Sequence, residues 1–228
     1  QKLVNKKYPI KIFSHSIDYE NFCDEKIINR EIEKKEKKKI LFIDEMIQHH
    51  PDYFIENIHA PISYENYISG MNSLFKKIES NTSYTPGIAF HPKSDQKYIN
   101  DFTNVKKNFL TTIQAIKKAD IIIAHASTAI GIAALLKKPI ILLIFEEMRD
   151  SWMESYVLAM ASQLNCKVFF LNEFLNQIND EFFAKLENQN NENYDYVNKF
   201  IIHPKKKNNF NISQTIKLFL DKINDAKD

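Results

Sequence analysis

Glycine is nearly missing from this chain of 228 residues, which has three in all. That excludes the Gly-rich dinucleotide fingerprint and the P-loop, because both need several glycines at fixed offsets to let backbone approach phosphate closely. A nicotinamide dehydrogenase and a P-loop ATPase are excluded with them. Arginine is as scarce, Arg30 and Arg149 being the only two among 31 basic residues. Arginine is the usual reader of guanine edges and phosphate forks, and a net charge of +2 leaves no dedicated basic face, so nucleic acid is not the expected partner. Cys23 and Cys166 are too few for a disulfide framework and suit reduced thiols in the cytoplasm. No apolar run approaches the roughly 18 residues that span a bilayer, and the longest, Pro139 to Phe145, is strand-sized. The opening segment has no signal-peptide pattern, and because it starts at Gln1 we expect the chain to be a piece of something longer.

What is present is an ordinary globular composition, 44% hydrophobic and 26% charged, enough for a buried core. Short continuous apolar runs recur: Ile40–Ile43, Gly87–Phe90, Ile121–Ala124, Ile140–Ile144 and Val168–Leu171. Runs without alternation are expected of strands covered on both faces. Between them, helical spacing is found over Tyr64–Glu79, Leu110–Lys118, Thr128–Lys137 and Trp152–Leu164. Strand and helix alternating at this interval predict βαβ units, and so a Rossmann-like α/β fold with a mostly parallel, doubly wound sheet. Further helices are expected over Glu181–Leu186, Tyr194–Ile202 and Ile212–Ile223. Residues 1–39, with the alternating Ile10–Phe13 and the mixed-charge run Glu31–Lys39, read as an N-terminal segment or linker, and 40–228 as the domain with its C-terminal helices.

In an open parallel sheet, ligands bind beyond the carboxyl ends of the strands, so the residues that end each run carry the functional reading. The first run ends in Asp44-Glu45, carboxylates suited to base or nucleophile chemistry. The second ends in His91-Pro92-Lys93, where proline stops the strand and holds His91 extended at the rim. The third ends in His125-Ala126-Ser127-Thr128 and enters an Ala-rich helix, so Ser127 or Thr128 is a natural N-cap and the first-turn amides suit a phosphate. Glu146 and Glu147 follow the fourth run, where Glu146 suits sugar hydroxyls or simply a solvated turn. Together His91, Lys93, His125, Ser127 and Thr128 describe a phosphate pocket built without glycine. The bland alternatives are a rim histidine bonded to a loop carbonyl and simple helix capping. A metal site at His49, His50 and Asp52 is not expected, since adjacent histidines in extended chain point apart and no spaced ligand set follows. Trp152, Met153, Tyr156, Met160 and Leu164 read as core or interface. His203-Pro204 before Lys205-Lys206-Lys207 reads as a helix stop with a solvated run, or as one drawn to a membrane surface or phosphate.

At these residues the sequence resembles the bacterial surface-carbohydrate glycosyltransferases, of capsule and lipopolysaccharide, with the GT-B architecture, in their nucleotide-sugar-binding C-terminal half. The likeness covers roughly Lys38 to Asn172: Phe42-Ile43-Asp44-Glu45, His50-Pro51-Asp52, His91-Pro92-Lys93, His125-x-Ser127-Thr128 and Lys137-Lys138-Pro139-Ile140. It is similar to sialyl and 3-deoxy-octulosonate transferases, which use CMP-activated sugars. That resemblance implies that His91 contacts the donor phosphate and that Ser127 and Thr128 close on it, while the strand-end position of Asp44 and Glu45 makes them the candidates for the chemistry. It further implies a saccharide or glycolipid acceptor, no cofactor beyond the donor, and a place in the cytoplasm or at the inner face of the cytoplasmic membrane. Such enzymes pair two Rossmann-like domains, and one set of strands is legible here, so the acceptor half is expected elsewhere or as a remnant before Lys39. A polyol-phosphate transferase, a sugar-nucleotide epimerase and a non-catalytic nucleotide-binding module remain alternatives at this point.

Overall fold

The computed structural model describes residues 14–28, 37–108, 110–189, 194–202 and 212–225. Its strands are β1 (Lys39–Ile43), β2 (Thr85–Ala89), β3 (Lys106–Asn108), β4 (Ile121–Ala124), β5 (Ile140–Ile144) and β6 (Lys167–Phe170). They lie side by side in the order β3-β2-β1-β4-β5-β6, every pair parallel. This is the doubly wound α/β arrangement expected from the sequence. The inner strands β4 and β5 are buried at every position, which is why they read as unbroken apolar runs. Two runs end earlier than expected: Phe90 lies past the end of β2, and Leu171 opens a helix rather than closing β6.

The helices are α1 (Ile17–Ile28), α2 (Asp52–Glu56), α3 (Tyr64–Asn81), α4 (Gln96–Asp101), α5 (Thr112–Lys118), α6 (Ile130–Leu135), α7 (Trp152–Leu164), α8 (Leu171–Gln177), α9 (Asp180–Glu187), α10 (Tyr194–Tyr196) and α11 (Ile212–Asp225). The chain divides into two compact units, Gln1–Glu31 with Tyr194–Asp228, and Ile32–Asn193. In this division α10 and α11 group with the N-terminal residues. In the smaller unit the Ser16 amide donates to the Ile201 carbonyl at 3.0 Å, tying the start of α1 to the π-helical stretch Val197–Ile201. Expectations for Ile10–Phe13, most of Glu31–Lys39, and His203–Lys207 fall outside the described residues.

In the larger unit the crossovers have recognisable local causes. Helix α3 begins where Ser63 Oγ accepts the Asn66 amide at 3.4 Å, and it buries Tyr67, Met71, Leu74, Phe75 and Ile78 at helical spacing against the sheet. Gly70 lets it come close. A Cβ there would strike the Phe145 ring and lie 2.7 Å from Leu171 Cδ2, so both side chains would have to shift for any larger residue. Helix α7 starts on Ser151, whose Oγ accepts the Glu154 amide at 3.3 Å, and ends at Asn165 in the left-handed region (φ 50°). Its buried stripe is Met153, Val157, Ala161 and Leu164, whereas Trp152 and Tyr156, read as core or interface, stand exposed at 41% and 50%. Among the described residues no helix is long and apolar enough to cross a membrane.

Candidate functional site

The strand order turns back on itself between β1 and β4, and at such a point the loops leaving neighbouring strands diverge and leave a crevice at the carboxyl rim. Three loops converge here, leaving β2, β1 and β4 in that spatial order. They carry His91, Asp44-Glu45 and Ala126-Ser127. With strands about 4.8 Å apart, the outer two loops are held roughly 10 Å from each other, with the acidic pair between them.

Glu45 occupies the centre. Its Oε1 accepts the Ala126 amide at 2.8 Å, and the His125 and Ser127 amides also face the carboxylate. The backbone cradle in which the sequence reading places a phosphate therefore holds a carboxylate of the protein. Burial pushes the Glu45 carboxyl up to about 8; the Ala126 amide opposes this and the neighbouring Asp44 charge adds to it.

Asp44 is placed differently from its neighbour. Its amide continues the β1–β2 pairing by donating to the Ala89 carbonyl at 2.9 Å, and the residue is 3% exposed. Oδ1 accepts the hydroxyls of Tyr67 and Tyr98, both at 2.8 Å, and the Met46 amide at 3.3 Å. Oδ2 has no hydrogen bond of normal geometry, although the His91 amide lies close enough to favour the charged form. Burial raises the Asp44 carboxyl above the ordinary range and the two tyrosines pull it back. A carboxylate enclosed in this way braces the floor of the crevice rather than facing a substrate. Of the two tyrosines that do the bracing, Tyr67 was legible only as part of a helical pattern, and Tyr98 was not singled out.

His125 departs most from expectation. It is fully buried, with its ring among Phe42, Tyr67 and Phe145. Its Nδ1 meets the Leu143 carbonyl at 2.6 Å, so Nδ1 carries the hydrogen, and burial lowers the imidazole to about 4. It is a neutral core residue and not a phosphate donor at the rim. Both faces of β4 are buried, and His125, the residue after Ala124, carries its ring into the same core.

Ser127 is half-buried and Thr128 exposed. The expected N-cap shifts by a residue or two: α6 is capped at Ala129, which offers no side-chain bond, and Ser127 Oγ instead accepts the Ala129 amide at 3.3 Å. With six residues, α6 has little dipole to offer, so any anion here depends on loop amides and hydroxyls. Glu146 Oε1 accepts the Asn172 amide at 2.9 Å and so caps α8, while Glu147 takes the Ser63 amide at 3.1 Å and the Asn66 side-chain amide at 2.5 Å. Glu146, read from sequence as suited to sugar hydroxyls or a solvated turn, thus fastens the first turn of α8 through one of its oxygens.

On the other side of Glu45, His91 is half-buried, Pro92 and Lys93 are exposed, and the turn is closed by Ser94 N–H to His91 O at 2.9 Å. Burial holds His91 below its ordinary value, helped by His50 and Lys93. The rings of His91, His50, Tyr53 and Trp152 then follow one another across the mouth, at centroid distances of 5.1, 5.7 and 5.6 Å. Among the described residues no group of three His, Cys, Asp or Glu side chains gathers as a metal ion would need. A cavity of about 170 Å³ beneath Leu41, Pro86, Gly87 and Ala119 lies at the opposite, amino end of the sheet, remote from these loops.

No protein-family model matches the sequence, and no curated protein matches it. Among solved structures the chain is similar to the wall teichoic acid polymerase TagF at 15% identity, over 91% of this chain and 49% of that one, with a TM-score of 0.49. It is similar to the glycosyltransferase SnogD from Streptomyces nogalater at 11% identity, over 73% and 39%, with a TM-score of 0.44. Against the spinosyn rhamnosyltransferase SpnG the values are 11%, 85%, 48% and 0.40. The chain thus spans less than half the length of each of these structures. The likeness is one of strand and helix arrangement.

Proposed function

We propose that the larger unit is the donor-binding half of a glycosyltransferase of bacterial surface-polysaccharide assembly, and that the rim after β2, β1 and β4 takes the phosphate of a CMP-activated sugar. The observation that carries this reading is the Glu45 carboxylate on the 125–127 amides at the point where strand order reverses. A backbone cradle that donates to a carboxyl oxygen can donate to a phosphate oxygen, and the group it now holds is a titratable carboxyl at the centre of the crevice. The His-Pro-Lys and Ser-Thr turns of the family resemblance lie on the loops to either side.

In this reading an acceptor hydroxyl attacks the anomeric carbon, its proton passes to Glu45, and the bond from that carbon to the phosphate oxygen breaks. The electron pair leaves with the nucleotide. His91, Lys93, Ser127 and Thr128 then meet the charge that develops on the phosphate. With the carboxyl near 8, a minority of molecules hold Glu45 ionised at neutral pH, and activity rises with pH towards that value. Asp44 acts at one remove, through the floor. The acceptor belongs to the partner half or to a partner chain.

Calorimetric titration with CMP, UDP and GDP tests the reading. We expect CMP to bind best, and His91→Ala to weaken it about ten- to a hundred-fold, the equivalent of one charge-assisted hydrogen bond. Absence of CMP binding, or equal affinity for the three nucleotides, overturns it. In a chain that turns over CMP-sugar, Glu45→Gln is expected to lower the rate about a hundred-fold or more with CMP affinity retained.

A further inference from the structure

Two of the loops at the crevice contain the same three-residue turn. His50-Pro51-Asp52 follows β1 and His91-Pro92-Lys93 follows β2, its hydrogen-bonded neighbour in the sheet. In each, the amide two residues on donates to the histidine Nδ1, Asp52 N–H to His50 at 3.3 Å and Lys93 N–H to His91 at 3.2 Å. A backbone amide always carries its hydrogen, so Nδ1 must be the bare nitrogen in both rings. The hydrogen of each neutral imidazole then sits on Nε2. The proline between removes one competing amide and fixes the turn. The two rings meet edge to face at 5.1 Å between centroids, and His50 retains 23% of its side-chain exposure.

We propose that His50 and His91 form a paired anion site, two Nε2–H donors preset by twin His-Pro turns to grip one phosphate of the donor. This rests on the reading of the rim as a phosphate site and adds His50 as the second ligand. Each Nε2 is about 1.2 Å from its ring centroid, so the donors stand at most about 7.5 Å apart whichever way the rings turn. One phosphate spans that interval with two oxygens, each accepting at about 2.8 Å. Metal ligation through Nε2 would require the opposite tautomer, against the two backbone amides, so the pair selects an anion over a cation. The charged neighbours are Lys93, whose ammonium favours the anion, and the exposed Asp52, whose carboxylate Oδ2 lies 3.6 Å from His50 Nδ1, on the side away from Nε2.

The test is long-range 1H–15N NMR of the histidine rings in the whole chain, with titrations of inorganic pyrophosphate and of CMP. The expected result is the Nε2–H tautomer at both His50 and His91 and parallel Nε2 shifts on adding pyrophosphate. His50→Asn keeps a side-chain oxygen for the Asp52 amide and removes the Nε2 donor, so it should leave the melting temperature unchanged and weaken pyrophosphate about tenfold or more. His50→Gln, which restores an amide donor, should weaken it less. An Nδ1–H tautomer at His50, no pyrophosphate binding by the unaltered chain, or unaltered affinity in His50→Asn beside a loss in His91→Asn overturns the pair. CMP that binds no better than pyrophosphate overturns the nucleotide reading and leaves the pair standing. CMP binding that ignores His50 does the reverse.

Discussion

Glu45→Gln is the perturbation whose effect on stability follows most directly from the structure. Glutamine is neutral at every pH and keeps an oxygen for the Ala126 amide. The wild-type carboxyl has an ordinary value of 4.5 and is raised to about 8 in the folded chain. Below 4.5 both the folded and the unfolded chain hold the proton, and the carboxyl gives no pH dependence. Between the two values the folded chain keeps a proton that the unfolded chain has released, so stability falls as pH rises, by about 1.4 kcal/mol per pH step. Across the interval this accumulates to a ceiling of about 5 kcal/mol. Glu45 is not fully enclosed, and water admitted around the ionised carboxylate lowers the realised loss to about 2–4 kcal/mol. Urea unfolding followed by circular dichroism at pH 5, 7 and 9 should therefore give curves for wild type and Glu45→Gln that nearly coincide at pH 5. At pH 9 the variant should be the more stable by that margin. Parallel pH dependence in the two proteins would refute the claim that Glu45 is held protonated over the 125–127 amides.

The floor of the crevice gives a second expectation: Tyr98→Phe strips one hydroxyl from the buried Asp44 and should lower stability by about 1–3 kcal/mol at neutral pH and by less in acid, as measured by urea unfolding at both. Gly70→Ala adds a methyl where Phe145 and Leu171 already stand, and should destabilise by about 1–3 kcal/mol despite the better helix propensity of alanine, a sign that chemical denaturation settles. Replacing Ser127 and Thr128 by alanine together should lower the melting temperature by a few degrees, through loss of the Ala129 contact, and should abolish the stabilisation given by CMP; full stabilisation in the variant leaves these hydroxyls a structural role only.

The central strands were readable because burial on both faces leaves no polar position to interrupt the run, as in Ile121–Ala124 and Ile140–Ile144. Strand β3 was not, since Lys106-Lys107-Asn108 is short, polar and at the edge, and pairing with Gly87–Ala89 is all that makes it a strand. Helix α4 had a local signal, Asp95 three residues before the amide of Tyr98 that it caps at 2.8 Å. The rim residues were found because chain order along a parallel sheet tells which residues end strands. Their roles were harder to assign. A histidine closing an apolar run reads the same whether its ring turns outward, as at His91, or inward, as at His125. Glu45 meets Ala126 across 81 positions of sequence, and no local pattern encodes that contact.

The turn that follows β5 has a mechanical consequence. Glu146 and Glu147 are consecutive, yet one fastens the first turn of α8 and the other the first turn of α3, and α3 carries the tyrosine that grips Asp44. Gly70 brings α3 against Phe145 and Leu171, so this turn and the two helices share one packed flank of the crevice. Helix α2 is held far less, for it buries none of its five residues and leaves Phe54 93% exposed. The twin His-Pro turns differ in the same way, His50-Pro51-Asp52 leading into this exposed helix and His91-Pro92-Lys93 into α4, whose Tyr98 is fastened to Asp44.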